Sequence, residues 1–333
     1  MKIAIFAAGT GGHILPAIEI SKKFNHEEII FFASNRPIEK AILKDKPFEV
    51  VHLNITGFRN KNFWQKFFWI FSFFKNIGMV LQDILRFNPE RILLMGGYIS
   101  ILGLFAALIL RRPIIIHEQN SVLGASNKIS QIFAKKVFTT FNIGLRKEYN
   151  FGNPVRIGFE KFNYQNSGEK NKILVIGGSQ GSNFLLDEIP RILIELDFKE
   201  SIIIQKGEHK PNFFHKNLIY VDFIDEPFKL FKDVKFIICR SGAGTIAELQ
   251  TFGMPAIFIP IPVSVDNHQY KNAATAIKNG GGIIIDELSF SRDSFKQQIY
   301  NFYQMDMLDL SKKIHSKKHF NSAEKIANEI KQN

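Results

Sequence analysis

Three glycine-rich loops have the residue types that bind phosphate groups. They lie at 8–13 (Ala-Gly-Thr-Gly-Gly-His), 177–182 (Gly-Gly-Ser-Gln-Gly-Ser) and 240–245 (Arg-Ser-Gly-Ala-Gly-Thr), each between a short apolar run and a helix-like segment. Glycines let the backbone turn sharply and approach a ligand, and the helix N-terminus that follows offers unpaired N–H groups to an anion. These loops therefore predict anion sites, and the hydroxyl and backbone N–H groups at 177–182 suit a diphosphate. A shorter loop at 96–98 (Gly-Gly-Tyr) is equally typical of tight packing.

Two common nucleotide chemistries do not fit these loops. The first loop lacks the third glycine of a dinucleotide fingerprint at its place and contains His13, which argues against a nicotinamide cofactor. The loop at 177–182 lacks the lysine of a Walker motif, which argues against nucleotide hydrolysis.

Polar residues follow several of the apolar runs. Glu248 lies in the helix-like segment after 240–245, where a carboxylate can bind ribose hydroxyls or complement the helix dipole. The cluster at 117–120 (His-Glu-Gln-Asn) is typical of the ligand crevice of an open α/β sheet. The cluster at 266–269 (Asp-Asn-His-Gln) could bind sugar hydroxyls or cap a solvated loop. The spacing of these groups matches no zinc or iron pattern, so we expect no metal.

Alternating strand-like and helix-like segments predict the architecture that positions these loops. In the first half, short apolar runs lie at 3–7, 29–33, 50–53, 91–95, 114–117 and 137–140. In the second half they lie at 173–176, 201–205, 219–221, 236–239, 256–259 and 282–285. Such runs between helical stretches are typical of parallel sheets buried on both faces. We expect an α/β protein with two Rossmann-like, doubly wound domains facing each other across a cleft.

A turn-rich segment at 152–156 (Gly-Asn-Pro-Val-Arg) marks the predicted domain boundary. We expect a first domain at 1–155 and a second at 156–315. The C-terminal segment at 316–333 contains an amphipathic helix at 322–331 that could return to the first domain.

The bulk composition narrows the setting. The chain has 43 Lys and Arg against 31 Asp and Glu, a net charge of +12 that favours anionic partners, although biased codon usage is an equally good explanation. A single cysteine, Cys239, excludes an internal disulfide and fits a reducing compartment. The N-terminal sequence predicts no signal peptide, so we expect the protein to stay where it is made. No nucleic-acid-binding motif is evident, so we expect no nucleic-acid partner.

Two apolar stretches bear on membrane contact. Residues 92–110 are split by Gly96 and Gly97 into a strand-like front and a helix-like back, which predicts a βα unit rather than a membrane span. Residues 63–87 predict an aromatic helix with a core-facing stripe of Phe63, Phe67, Ile70, Phe74, Ile77, Leu81 and Ile84.

A second stripe on the same helix is wider than a core contact needs. It consists of Trp64, Phe68 and Phe71, and Lys61, Lys66 and Lys75 lie near it. Apolar side chains interspersed with lysines are typical of a helix that lies on an anionic lipid surface. A core or dimer contact is the alternative.

Taken together, the motifs resemble the MurG family, which transfers N-acetylglucosamine (GlcNAc) from UDP-GlcNAc to lipid I. The matching pieces are 10–13 with Pro16, 96–98, 117–120 with Gly124 and 127–128, 152–156, 177–181, 240–243 with Thr245 and Glu248, and 266–269 with Asn272. They occur in family order and cover most of the chain. The resemblance implies the glycosyltransferase-B fold and a reaction without a cofactor.

The resemblance also implies where UDP-GlcNAc binds. Glu248 would take the ribose, Ile224 would lie against uracil, and Ser179 with the turn at 243–245 would hold the diphosphate. The implied donor set is Thr10, Gly11, Gly12, Asn120, Arg156, Ser179, Ile224, Ala243, Gly244, Thr245, Ile246, Ala247, Glu248 and Gln269. Of these, Gln269 and Asn120 would contact the GlcNAc.

The first domain would receive the acceptor, an undecaprenyl-diphosphate-linked MurNAc-pentapeptide. Trp64, Phe68 and Phe71 would hold it at an anionic membrane surface, which predicts a peripheral protein on the cytoplasmic face of the plasma membrane. Two positions depart from the family pattern. Ala8 stands where glycine is usual, which is tolerable unless φ is positive there, and Gly244 replaces a larger apolar residue, which puts donor affinity in doubt.

The implied reaction is an inverting displacement in which the MurNAc 4-hydroxyl attacks C1 of GlcNAc and UDP leaves. His13 is the candidate base because an imidazole can accept a proton at neutral pH, and a phosphate contact is its alternative role. Helix N-termini could stabilise UDP without a metal. The alternatives are a UDP-GlcNAc 2-epimerase or a diacylglycerol glycosyltransferase of the same fold, and a non-catalytic nucleotide-sugar sensor or scaffold.

Overall fold

The computed structural model describes residues 1–9, 11–57, 62–165, 169–177 and 182–332, without the side chains of Phe63, Gln65, Lys66 and Val265. The chain divides into two compact units. Unit 1 is Met1–Pro154 with the C-terminal segment from Asn321, and unit 2 is Val155–Phe320. Two predicted donor residues, Thr10 and Ser179, and the lysine predicted near the aromatic stripe at position 61 lie outside the described residues.

Unit 1 alternates strands and helices. The strands are β1 Ile3–Phe6, β2 Ile29–Ser34, β3 Glu49–Leu53, β4 Arg91–Leu94, β5 Ile114–Glu118, β6 Lys136–Thr139 and β7 Glu148–Tyr149. The helices are α1 Gly11–Ser21, α2 Pro37–Leu43, α3 Phe63–Phe87, α4 Ile99–Ile109, α5 Ala125–Ser130 and, at the C-terminus, α13 Ser322–Lys331. Within the described residues the strands form one parallel sheet in the order β3-β2-β1-β4-β5-β6-β7.

The strands of unit 1 bury both faces, as their continuous apolar sequences predict. Because side chains alternate across a strand, Ala4 and Phe6 face the core under α3 and α4, whereas Ile3 and Ile5 face α1 and α13. The C-terminal helix α13 contributes Ile326, Ala327 and Ile330 to this second core. It is also fastened by Lys136, whose Nζ donates to the Glu329 carbonyl at 2.8 Å and to its carboxylate at 2.7 Å.

The aromatic helix α3 buries a different face from the predicted one. Ile77 and Ile84 are buried as expected, but Phe67, Ile70 and Phe74 are 47%, 47% and 67% exposed. The core side is completed instead by Trp69, Phe73 and Val80. A strict 4-3 pattern drifts by about 20° per heptad from a straight helix, so the prediction was wrong at the N-terminal end.

Most residues in the first half of α3 are apolar, so the apolar pattern does not determine which face is buried. Hydrogen bonds from two of its side chains determine that face. Trp69 Nε1 donates to the Thr56 carbonyl at 2.8 Å, and Ser72 Oγ donates to the Asn54 carbonyl at 3.1 Å. Apolar periodicity alone cannot reveal such bonds. The exposed aromatic surface is therefore larger than the predicted stripe of Trp64, Phe68 and Phe71.

Close packing between α4 and the sheet gives a stability prediction. A Cβ on Gly103 would come within 2.6 Å of Leu94 and 2.7 Å of Phe6, whereas a Cβ on the exposed Gly78 of α3 would have no neighbour within 4 Å. We expect Gly103→Ala to lower the free energy of unfolding by about 1–3 kcal/mol because of overpacking. Gly78→Ala, the matched control, should raise it by about 0.5–1 kcal/mol through helix propensity. Denaturant melts of both variants measure this, and equal stabilities would contradict the packing described.

Unit 2 repeats the architecture of unit 1. Its strands are β8 Lys172–Ile176, β9 Ser201–Gln205, β10 Leu218–Val221, β11 Val234–Cys239, β12 Ala256–Phe258 and β13 Gly282–Ile284. Its helices are α6 Ile157–Lys161, α7 Ile189–Glu195, α8 Pro227–Leu230, α9 Ala243–Phe252, α10 His268–Ala276, α11 Arg292–Tyr303 and α12 Met307–Ile314, with a π-helical turn Phe184–Glu188 before α7. In the part of unit 2 that is described, the parallel strand order is β10-β9-β8-β11-β12-β13.

The predicted class, two doubly wound α/β domains, is confirmed, and every predicted strand coincides with an observed one. The sequence missed β7, which has only two residues and therefore no periodicity. It also placed the start of α1 too late. The helix begins at Gly11, within the predicted loop at 8–13, and includes His13 in its first turn and Pro16 in its interior.

Candidate functional site

Each sheet reverses its strand order at one point. In unit 1 the order turns between β1 and β4, and in unit 2 between β8 and β11. Open α/β sheets bind ligands outside the carboxyl ends of the strands at such a switch point. The glycine-rich loops at 8–13 and 96–98 follow β1 and β4, and those at 177–182 and 240–245 follow β8 and β11. In each unit, the two strands that precede these loops therefore flank the switch point, where the ligand crevice is expected.

In unit 1 the imidazole of His13 lies against the loop after β4. A Cβ on Gly96 would come within 3.2 Å of His13 Cε1 and 3.4 Å of the Asn127 amide nitrogen, and the φ of Gly96 is +94°. Only glycine combines this backbone conformation with so close an approach. The loop at 96–98 is thus more than a tight turn, because its backbone leaves space for the His13 ring and packs beside it.

The side chain of Gln119 connects His13 to a buried histidine. His13 Nδ1 lies 2.8 Å from Gln119 Oε1, and Gln119 Nε2 lies 2.9 Å from His117 Nδ1. His117 Nε2 is 3.4 Å from the Gly152 carbonyl oxygen. His117 and Gln119 are buried, and burial lowers the pKa of His117 to about 4, with the charge of His13 acting in the same direction. His117 is therefore neutral at physiological pH.

Glu118 organises the rest of this polar cluster. It is buried, and its carboxylate accepts hydrogen bonds from Asn120 N at 3.0 Å, Gly124 N at 2.9 Å and Asn127 Nδ2 at 2.9 Å. The side-chain amide of Asn120 donates to the same carboxylate at 3.2 Å. These bonds fix the loop between β5 and α5. The Glu118 carboxylate thus has a structural role in this loop. Asn120 is half-buried beside the crevice.

A buried carboxylate that sequence reasoning missed holds the first glycine-rich loop. Glu39 of α2 is fully buried and accepts hydrogen bonds from Gly9 N at 2.9 Å and Ser34 N at 2.7 Å. The signal was an acidic residue shortly after the second strand, where a dinucleotide fold uses it to bind ribose. Here its oxygens accept hydrogen bonds from backbone N–H groups instead.

The first-loop departure at Ala8 has no structural cost. Among the residues that are described, Gly9 and not Ala8 has a positive φ, at +115°. An alanine therefore fits there. Gly11 and Gly12, both half-buried, form the first turn of α1 with His13.

In unit 2 the N-terminus of α9 is the clearest anion site. Gly242 precedes the helix in an extended conformation, so that the first-turn N–H groups of Ala243, Gly244 and Thr245 have no carbonyl of a preceding turn to bind. Ile246 N already donates to the Gly242 carbonyl at 3.0 Å. Anions are stabilised at such a helix end.

Two predicted donor residues on α9 have side chains that face the core. Ile246 and Ala247 are fully buried, because the helix turns that face toward the sheet. Their side chains therefore support the helix, and contact between the donor and this part of α9 stays a prediction. The loop motif located the anion site, but it could not tell which side chains of the following helix face inward.

The structure brings together Arg156, Glu248 and the loop that contains Ile224. Glu248 Oε1 accepts hydrogen bonds from Arg156 Nε at 3.0 Å and Nη2 at 2.7 Å. Arg156 Nη1 also donates to the Asp225 carbonyl at 3.0 Å, next to the half-buried Ile224. Glu248 is thus paired with a guanidinium in this structure. A pair that is about one-fifth exposed on each side remains accessible to a polar ligand.

Arg240 and Gln269 brace the remaining loops of unit 2. Arg240 Nη1 donates to the Ile259 and Pro260 carbonyls at 3.0 and 3.1 Å and pairs with the Glu287 carboxylate at 2.6 Å. Gln269 Oε1 accepts from Ile261 N at 3.0 Å. The carbonyl of the Gln269 side chain therefore holds the proline-rich turn, and its amide nitrogen is the end that could meet a sugar.

Among the described residues, no three His, Cys, Asp or Glu side chains are grouped so that they could hold a metal ion. Cys239 is buried at the end of β11, and burial raises the pKa of its thiol to about 12. The thiol of Cys239 is therefore protonated and not a reactive nucleophile.

Family models match both halves of the chain. The glycosyltransferase family 28 N-terminal domain matches residues 3–139, and the corresponding C-terminal domain matches residues 172–330. The matches cover most of the two units and include every candidate donor and base residue except Arg156.

Full-length relatives carry one common name, UDP-N-acetylglucosamine–N-acetylmuramyl-(pentapeptide) pyrophosphoryl-undecaprenol N-acetylglucosamine transferase. The protein from Buchnera aphidicola subsp. Baizongia pistaciae is 32% identical, over 98% of this chain and 97% of its own. The protein from Sulfurihydrogenibium sp. is 33% identical, over 99% of this chain and 97% of its own. The crystal structure of Acinetobacter baumannii MurG is 25% identical, with a TM-score of 0.79 and 99% of both chains covered.

Proposed function

Because this chain belongs to the MurG family within glycosyltransferase family 28, we propose that it transfers GlcNAc from UDP-GlcNAc to the MurNAc 4-hydroxyl of lipid I. The product is lipid II, the disaccharide precursor of peptidoglycan. The observation that carries the proposal is the match of both units, at more than 30% identity over almost the whole chain, to relatives named for this reaction.

The reaction requires one proton transfer and one displacement. As the acceptor oxygen attacks C1 of GlcNAc, a new C–O bond forms on the face opposite the leaving group. The bond between C1 and the β-phosphate oxygen breaks, and its electron pair leaves with UDP. His13 takes the proton of the attacking hydroxyl, which makes the oxygen a better nucleophile. The α-linked donor therefore gives a β-1,4 bond.

Most of the proposed donor groups lie in unit 2. The first-turn N–H groups at 243–245 suit the negative charge that develops on UDP as it leaves. Glu248 accepts hydrogen bonds from the ribose hydroxyls in place of part of its hydrogen bonding to Arg156. Ile224 packs against uracil. Thr10 and Ser179 are proposed to complete the diphosphate contacts, and Gln269 and Asn120 those to the sugar. The groups of unit 2 supply charge stabilisation from backbone dipoles, so we expect activity to persist in a chelator.

Acceptor dependence tests this function against its alternatives. We expect UDP release from UDP-GlcNAc only when a short-chain lipid I analogue is present. UDP release without acceptor would favour the epimerase, and release only with diacylglycerol would favour the lipid glycosyltransferase. UDP-GlcNAc binding without turnover under either condition would favour a sensor or scaffold.

We further propose that unit 1 docks on an anionic membrane surface through an apolar face on α3, α4 and α5. The exposed side chains of this face are Trp64, Phe67, Phe68, Ile70, Phe71 and Phe74 on α3, Phe105, Leu108 and Ile109 on α4, and Ile129, Ile132 and Phe133 on and after α5. The rings of Phe73 and Phe105 are in edge-to-face contact at 5.4 Å and join α3 to α4. Exposed basic residues, Lys75, Arg111, Lys128 and Lys135, belong to the same elements or directly follow them.

Docking is favoured over spanning. Within the described residues, the stretch Phe67–Phe87 of α3 is long and apolar enough to cross a membrane by length and composition. However, Val80 and Ile84 in its second half are fully buried in the core of unit 1. A helix cannot pack its C-terminal half in a protein core and also cross a bilayer of about 30 Å. The exposed first half is suited to the interface between headgroups and acyl chains.

Replacing the predicted membrane residues tests the docking surface. We expect the variant Trp64→Ser/Phe68→Ser/Phe71→Ser to bind vesicles of phosphatidylcholine and phosphatidylglycerol about 100-fold more weakly, because three exposed aromatic side chains no longer insert. Cosedimentation with vesicles gives the partition coefficient. The matched control is Phe214→Ser/Ile219→Ser/Phe223→Ser in unit 2, whose side chains are similarly exposed. Equal binding by both variants would contradict the proposal, and a loss of self-association instead would assign the face to a second copy of the chain.

A further inference from the structure

The connection from Gly152 to His13 contains groups whose protonation states determine one another. The Gly152 carbonyl can only accept a hydrogen bond, so His117 Nε2, 3.4 Å away, is the protonated nitrogen of that ring. His117 is fully buried among neutral partners and therefore carries only one proton. Its Nδ1 is consequently an acceptor, and the group 2.9 Å from it must be a donor.

The amide of Gln119 is oriented by a second constraint. Gln119 Nε2 also lies 3.4 Å from the backbone carbonyl oxygen of His117, which can only accept. This carbonyl oxygen requires the NH₂ group at that end of the side chain, independently of the tautomer of His117. Gln119 Oε1 therefore points to His13 Nδ1 at 2.8 Å. An oxygen with no hydrogen requires the proton of that bond to belong to His13.

We propose that Gln119 and His117 are positioning residues that hold His13 with its proton on Nδ1, so that Nε2 is the basic nitrogen offered to the acceptor hydroxyl. This inference rests on the proposed function, because it assumes that His13 is the base. A neutral imidazole has one protonated and one basic nitrogen. In water the tautomer that is protonated at Nε2 and basic at Nδ1 predominates. The buried amide selects the other tautomer and also fixes the plane of the ring.

The arrangement suits a base that must release its proton after each turnover. Gln119 contributes a neutral oxygen rather than a carboxylate, so it orients the ring without holding a permanent negative charge beside the imidazolium. The backbone of Gly96 flanks the same side of the ring, because a Cβ there would come within 3.2 Å of His13 Cε1 and 3.6 Å of Nδ1. In the hydrogen-bonded connection from Gly152 to His13, the groups that support acid–base chemistry at His13 are therefore all neutral.

The tautomer of His13 can be measured without activity. With ¹⁵N-histidine in the full-length protein, at a pH where His13 is neutral, we expect a protonated Nδ1 and an unprotonated Nε2, assigned by loss of the signals in His13→Ala. Gln119→Leu should shift His13 toward the tautomer protonated at Nε2. The matched control is Gln131→Leu, since Gln131 lies in the same unit and donates to Lys128 O instead. An unchanged tautomer in Gln119→Leu would overturn the inference.

Kinetics provide an independent readout. We expect Gln119→Leu to lower kcat by about 10- to 1000-fold with little change in KM for UDP-GlcNAc, because the base is misoriented and the donor groups are intact. Gln119→Glu keeps an oxygen facing Nδ1 but adds a charge that stabilises the imidazolium. It should therefore retain measurable turnover with the acid limb of the kcat profile moved to higher pH, by about one unit or more.

The outcomes separate this inference from the proposed function. If Gln119→Glu lowers kcat equally at every pH without moving the acid limb, the residue has a merely structural role and the inference fails. If the wild-type protein gives no transfer to lipid I while its His13 tautomer still depends on Gln119, the proposed function fails and the positioning stands. Transfer by the wild type, with kcat and pH profile preserved in Gln119→Leu, overturns the positioning and leaves the function intact.

Discussion

His13→Ala is expected to lower kcat for GlcNAc transfer by about 10²- to 10⁴-fold, the range that a positioned general base contributes. The side chain lies in the first turn of α1, and its Nδ1 is bonded to Gln119, so its other nitrogen is the one that can take a proton. KM for UDP-GlcNAc should change little, because the proposed ribose contact and most of the proposed diphosphate contacts lie in unit 2. Steady-state rates with a short-chain lipid I analogue measure both parameters.

His26→Ala is the control for this prediction. His26 is an exposed histidine of the same unit, and its replacement should leave kcat and KM unchanged. If His13→Ala retained most of the wild-type kcat, His13 would not be an essential base. If it raised KM for UDP-GlcNAc at constant kcat, the alternative role of a phosphate contact would be favoured.

Glu248→Ala is expected to raise KM for UDP-GlcNAc by about 10- to 100-fold, with kcat changed by only a few-fold. Hydrogen bonds to a charged group contribute about 1.5–3 kcal/mol, and the ribose makes them in both the ground state and the transition state. The Arg156 guanidinium, bonded to Glu248 Oε1 at 2.7 and 3.0 Å, holds the carboxylate in place before the ligand arrives.

A double-mutant cycle with Arg156→Ala distinguishes binding from positioning. If Arg156 acts by holding Glu248, its replacement should cost much less affinity in the Glu248→Ala background than in the wild type. The matched control is Glu226→Ala, which removes an exposed carboxylate of the same unit that pairs with Lys229. Wild-type KM in Glu248→Ala would contradict the ribose contact and leave Glu248 as a partner of Arg156 alone.

The positions of the loops could be predicted because they depend on local signals. Glycines after apolar strands, and the alternation of strands and helices, are visible in the sequence and led to two doubly wound sheets. Once the strand order is that of a doubly wound sheet, the first and fourth loops of each unit must meet at the switch point. The proximity of the loops at 8–13 and 96–98 follows from the topology of the sheet.

The contacts inside the site depend on side chains that are distant in the sequence. Gln119 lies 106 residues from His13, and Arg156 lies 92 residues from Glu248. Motif order placed these residues in one protein, but it did not specify which atoms bond. The hydrogen bond from Gly9 N to the Glu39 carboxylate likewise joins residues that are distant in the sequence. Such bonds are decided by packing, which neither composition nor periodicity records.

The aromatic helix α3 shows a different limit. Its first half is so rich in apolar residues that two faces satisfy the helical period equally well. Hydrogen bonds from Trp69 and Ser72 to the segment before the helix select the buried face. Consequently Phe67, Ile70 and Phe74, expected in the core, extend the exposed aromatic face.

The most direct test of the central claim is the structure of the product made from UDP-GlcNAc and a lipid I analogue. Mass spectrometry should show one added N-acetylhexosamine, and the anomeric ¹H coupling and glycosidic ¹³C correlations should show GlcNAc joined β-1,4 to MurNAc. That result would establish both the acceptor hydroxyl and inversion at C1. An unmodified acceptor with release of free N-acetylmannosamine, or an α-linked product, would contradict the proposed reaction.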